Sequence, residues 1–255
     1  MDGRFFDIDS QLTGLRERQH KAGATLADEF ARRLDISWIY HDSALEGVVL
    51  SYSEIKAAID KKIISDVSLI PSYEEIKAFK SAIEWSDEYA ANKKKPINLE
   101  TVRKLYGILA PDEVAKGLPF RRDNPLHRLY YHEISPPDKI TARMKKFGEW
   151  FDEDATRRMH PVERAARAHF RLMSIYPWTL HTGRVARLLS NLMLQREGYP
   201  KAIVHSIDRQ RYYEVLRAEH LGIIPLYVET VATSIETALK FYEEAAAVSA
   251  RRRAS

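Results

Sequence analysis

Two runs of apolar spacing, seven residues apart, constrain this chain more than any other feature. In 159–175, Val162, Ala165, Ala166, His169, Phe170 and Met173 recur at three- and four-residue intervals and make one buried helical face. In 183–197, Val185, Leu188, Leu189, Leu192 and Met193 do the same, and Gly198 followed by Pro200 ends that helix. Pro177 disfavours α geometry at Tyr176, so the first helix stops near Ile175 and "YPWTLHT" is the connection. The same periodicity marks 8–34, 53–64, 72–91, 98–109, 137–152, 206–221 and 226–247. One region departs from it. In "GLPFRRDNPLHRLYYHEISPP", residues 117–137, turn residues surround the alternating run "HRLYYHEI", which predicts a hairpin. The expected architecture is all-α with one small β-hairpin flap. Residues 1–35 read as a helical arm, 36–247 as the main domain and 248–255 as a basic tail.

Composition narrows the function classes. Hydrophobic residues make up 45% of the 255, ample for a buried core. There is no cysteine, which excludes disulfides and thiolate metal sites and fits a reducing, cytoplasmic setting. The opening "MDGRFFDIDS" lacks the apolar run of a signal peptide, and no segment approaches the ~18 apolar residues of a membrane helix. The net charge of +4 sits largely in local runs at 93–95 and 251–253, which read as solvated ends, so nucleic acid is not an expected partner.

The chemistry centres on the start of the second helix. Arg184 and Arg187 share one helix face at its opening turn, where the backbone already carries partial positive charge. Free N–H groups near Thr182 and Gly183 add to this anion-binding mouth. Two cations there are tolerable when a phosphate or a carboxylate sits between them; the bland alternative is that both reach solvent or a structural acid.

The stretch "HPVERAARAHFRLMSIYPWTLHTGRVARLLSNLMLQREGYPKAIV", 160–204, resembles the core of the Fic family, whose members typically transfer AMP from ATP to a protein hydroxyl. "GLPFRRDNPLHRLYYHEISPPDKI" is similar to the family's target-positioning flap, and "IDRQRYYEVL", 207–216, to its following helix. "DSALEG", 42–47, is similar to the inhibitory-helix motif S/T-x-x-x-E-G/N, with Asp42 at the serine or threonine position. The resemblance implies that Glu46 projects from that helix and pairs with Arg187.

The family's loop reads H-P-F-x-D/E-G-N-G-R-x-x-R; this one reads Y-P-W-T-L-H-T-G-R-V-A-R. By that alignment Tyr176 stands at the catalytic histidine. A phenol titrating near ~10, against ~6.5 for imidazole, is a poor base at neutral pH. Leu180 stands at the acidic metal ligand and offers no oxygen to magnesium, so Mg²⁺ is not expected. His181 and Thr182 replace Gly-Asn, and a side chain at His181 crowds the phosphates.

Ordinary AMP transfer is therefore not expected, and the chain reads as a pseudo-enzyme that binds a protein partner, with ATP or another nucleotide as an open ligand. The rival reading is a transferase of altered chemistry acting on protein hydroxyls, with His181 as a substitute base; a packing or anion-contacting His181 is the bland alternative. Leu129, Tyr130, Tyr131 and His132 are the flap residues expected to hold an extended partner segment by strand addition, unless they form an ordinary amphipathic hairpin. His127 and His132, five apart on a strand, point to opposite faces and are not read as a metal site.

Overall fold

The computed structural model describes residues 3–60, 70–125, 132–218 and 222–254. All regular structure among them is helical: α1 Gly3–Ala22, α2 Ala24–Leu45, α3 Tyr52–Ile59, α4 Ile70–Ala91, α5 Leu99–Leu109, α6 Pro111–Val114, α7 Pro137–Trp150, α8 Asp154–Arg157, α9 Pro161–Ile175, α10 Thr182–Arg196, a 3₁₀ turn at Ser206–Asp208, α11 Arg209–Arg217 and α12 Ile223–Ala254. None of these helices is long and apolar enough to cross a membrane.

The centre of the bundle is α10. Every residue from Thr182 to Leu194 is buried, so this helix is enclosed on all sides, its polar members Thr182, Arg184, Arg187, Ser190 and Asn191 included. It packs on α9, α4 and α5, while α12 closes over α9 and α1. Because α10 is enclosed, its two arginines cannot reach solvent and must find partners inside the protein.

One expectation needs correction. The single helix read over 8–34 is two: Gly23, at φ 83°, breaks the chain, and α2 then runs unbroken through residues 35 and 36 to Leu45. The inhibitory-type segment near 42–47 is the last turn and cap of α2. Its end is a Schellman motif, with Val48 N–H donating to the Ser43 carbonyl (2.8 Å), Gly47 N–H donating to that of Ala44 (3.1 Å) and Gly47 at φ 92°. The predicted flap hairpin falls largely outside the described residues. Residues 126–131, including Leu129, Tyr130 and Tyr131, lie outside the described residues, and the described flanks form no strand.

His132 also departs from its expected place. It is buried, its Nε2 lies 3.0 Å from the Met173 carbonyl, and its ring meets Tyr176 edge-on at 6.1 Å. That ring anchors the segment after the flap to the end of α9 and is itself buried.

Candidate functional site

The loop joining α9 to α10 is held shut by its own residues and by Arg121. Tyr176 caps α9 in the left-handed region at φ 51°, a conformation that costs a non-glycine residue about 1 kcal/mol unless its surroundings impose it. Arg121 imposes it. Its Nε donates to the Tyr176 carbonyl (2.7 Å), its backbone N–H to that of Pro177 (2.9 Å), and its guanidinium also reaches the Ser135 carbonyl and the Asn124 Oδ1. Thr182 Oγ1 donates to the Trp178 carbonyl (2.7 Å) and accepts from its N–H (3.1 Å), so this hydroxyl closes the loop rather than facing outward. Trp178 stacks on Tyr106 with ring centres 4.0 Å apart. Tyr176 is buried, whereas Leu180 is 65% exposed.

Beside this loop opens a cleft of about 560 Å³, lined in part by Tyr106, Asp112, Phe120, Trp178, Leu180 and His181. His181 caps α10 at φ 64° without a side-chain capping bond. Burial, then the Arg184 charge, hold its pKa below the ordinary histidine value, so its imidazole is neutral at pH 7.

On the inner side, Arg184 and Arg187 converge on carboxylates. Asp42, wholly buried, places one oxygen on each: Arg184 Nε donates to Oδ2 (2.8 Å) and Arg187 Nε to Oδ1. Arg187 also donates to Glu46 Oε1 (2.7 Å) and to the Tyr212 hydroxyl (3.3 Å), and Arg184 to Glu75 Oε1 from α4. Burial works against both charges; the carboxylates, Asp42 foremost, outweigh it, and both pKa values stand above the ordinary arginine value. Two guanidiniums against three carboxylates explain how α10 tolerates cations at its positive end.

Gly183 makes the closeness of Glu46 allowable. A Cβ there would stand 2.6 Å from Glu46 Oε1 and 3.0 Å from an Arg187 nitrogen. Gly183→Ala is therefore expected to expel the Glu46 carboxylate, with a net loss of about 1 kcal/mol after alanine's helix preference is counted. In a Glu46→Ala background the same change should be neutral or stabilising. Urea unfolding of the four proteins as a double-mutant cycle checks this, and equal effects in both backgrounds would refute the contact.

Of the residues singled out in the sequence, Gly183, Arg184, Arg187 and Glu46 meet in one place. His181 lies close by, facing the outer cleft; Thr182 and Tyr176 serve the loop. Asp42 and Glu75 were missed. Asp42 had a readable signal, since Asp42 and Glu46 are four apart and share a face of α2. Glu75 had none.

Residues 96–194 match the Fic/DOC family model, a span that runs from the start of α5 through both arginines. The chain contains a Fic domain. Over 210 residues it is 30% identical to the protein adenylyltransferase Fic of Culex quinquefasciatus and 29% to that of Aedes aegypti, matching 81% of this chain. The chain spans only 41% of the length of those relatives. A Fic-domain-containing signaling protein from Bacteroides thetaiotaomicron superposes with a TM-score of 0.78 at 24% identity, covering 92% of this chain and 98% of that one. Fic-1 from C. elegans superposes at 0.76 with 23% identity, covering 95% and 73%. At such identities the likeness establishes the fold. Asp42, Glu46 and Glu75 all lie outside the Fic span, so the carboxylates that meet its arginines come from the helices packed against it.

Proposed function

We propose that this Fic-fold chain is a pseudo-enzyme: it holds a protein partner, and a nucleotide or other anion only where the carboxylates give way, without transferring AMP. The observation that carries the reading is the engagement of both guanidiniums by the buried Asp42 carboxylate, with Glu46 and Glu75 completing the shell. The residues present do not fit a magnesium–triphosphate. Leu180 has no oxygen to offer a hard cation. A phosphate entering between the arginines would meet Asp42, a like charge in a site where water does not screen it. Tyr176, at the position of the family's base, is a phenol and keeps its proton at neutral pH. A cysteine-free chain suits a reducing, cytoplasmic setting.

A transferase of altered chemistry is the second reading, and one observation favours it: His181 is a neutral imidazole at the edge of the 560 Å³ cleft. One experiment separates the two. Incubation with labelled ATP, GTP or UTP, Mg²⁺ or Mn²⁺ and cell lysate is expected to leave protein unlabelled. Reproducible labelling that disappears in His181→Ala would overturn the pseudo-enzyme reading.

A further inference from the structure

A second hollow, away from the arginine pair, has the marks of a peptide site. It lies between α7 and α9, encloses about 380 Å³ and is lined by Arg143, Lys146, Phe147, Arg167, Phe170 and Arg171, with Ile175 and Ser174 at one end. The lining follows from sequence spacing. On α7, positions 143, 146 and 147 share a face, and on α9 so do 167, 170, 171 and 174. On α9 Phe170 stands between Arg167 and Arg171, and on α7 Phe147 lies next to Arg143 and Lys146. The two faces meet, so a floor of Phe147, Phe170 and Ile175 is rimmed by four positive charges.

These charges are poorly compensated within the protein. Arg167 has Glu163 at 2.8 Å. Arg143 donates only to the neutral Ser135 Oγ (2.7 Å), and the Arg171 guanidinium lies over the Trp150 ring at 5.0 Å. Among the described residues no carboxylate lies within ion-pair distance of Arg143, Lys146 or Arg171, and Glu153 acts on Arg171 only from farther off. A second hollow of about 280 Å³ continues the first, sharing Arg143, Phe170 and Ser174 and reaching Ile134 and Leu216, with one further acid, Glu133, and one further cation, Arg217, on its wall. An occupant of both must run from one into the other, as an extended chain does and a compact anion does not. A nucleic acid would seek cations spaced along a track; here they encircle an apolar hole.

We propose that this groove binds an extended acidic segment of a protein partner, with a large apolar side chain seated on Phe147, Phe170 and Ile175 and flanking carboxylates on Arg143, Lys146 and Arg171. The inference deepens the partner-binding reading above and names a surface for it that adjoins the C-terminal part of the flap segment. Apolar anchorage supplies the hold, and the cations select the partner and steer its approach.

Selection of extended peptides from a display library on the full chain tests it. Expected are peptides with Asp or Glu on both sides of an aromatic or large aliphatic residue. Their affinity should fall about tenfold or more in Lys146→Glu and in Arg143→Glu/Lys146→Glu, as loss and reversal of charge contacts imply. Lys146 is exposed, so its variant keeps the wild-type melting temperature. Selected peptides that bind these variants as tightly as wild type would sink the groove while leaving a partner site elsewhere standing. Enrichment of no acidic–apolar pattern would sink it too, as would tighter binding of a single-stranded oligonucleotide than of any selected peptide. Each outcome is independent of the nucleotide-labelling result.

Discussion

Asp42→Ala is expected to destabilise the protein by about 3–5 kcal/mol, the range for removing one partner from a buried ion pair. For a chain of this size that lowers the melting temperature by roughly 10 °C. The argument rests on what is left behind. Both guanidiniums are buried in the first turn of α10, three residues apart, and Asp42 is the one group that touches both. Without it the two cations repel each other beside the positive end of the helix, with Glu46 and Glu75 reaching one arginine each. Glu46→Ala should cost far less, about 1 kcal/mol, because Arg187 keeps Asp42 and the Tyr212 hydroxyl when Glu46 is gone. Replacing Arg187 by Met in the Asp42→Ala background should recover part of the loss, since a well-packed apolar pair is a fair substitute for a buried ionic one. Urea unfolding of these three variants beside the wild type measures all of this. A cost for Asp42→Ala no larger than that for Glu46→Ala would show that the arginines are held by the outer carboxylates instead.

The sequence carried the frame of this site better than its content. Pro177 and Gly198 mark the ends of the two helices that present the loop, because each acts through backbone geometry that does not depend on the rest of the fold. The position of the arginines at a helix start was legible for the same reason. The meeting of Glu46 with Arg187 was readable only through the family motif, since 141 residues separate them. Asp42 was read as an imperfect serine or threonine position; its role depends on α2 lying across the start of α10, which periodicity does not report. Gly23 was passed over because apolar spacing continues on both sides of it, and only the positive φ breaks the helix. His132 looked like part of an alternating strand, yet its ring is drawn under α9 by the Met173 carbonyl and Tyr176, a tertiary contact with no local signature.

Stability should fall as the solution is acidified from pH 6.5 towards 4, and His169 should account for most of the histidine contribution. His169 is fully buried, and burial first, then the charge of Arg187, push its pKa down to about 3. Its Nε2 lies 2.9 Å from the Tyr212 hydroxyl, which itself accepts from Arg187, so the phenol proton points to the imidazole and the ring is neutral. Protonation would cancel that bond and place a third cation beside Arg187, with His132 adding to the repulsion. The sign follows from proton uptake. The unfolded chain binds a proton at this residue below about 6.5 and the folded chain does not until about 3, so acid favours unfolding across that interval. Taken in full, the shift corresponds to on the order of 4–5 kcal/mol. His41, stacked on His205 at 4.3 Å and lowered to about 4, adds a smaller share because its ring is partly solvated. In His169→Gln the side chain can still accept from Tyr212 but does not titrate. Urea midpoints measured from pH 7.5 to 4 should therefore fall less steeply for the variant. Identical slopes for the two proteins would mean that His169 takes up its proton in the folded state as readily as in the unfolded chain, and would refute a neutral ring accepting from Tyr212.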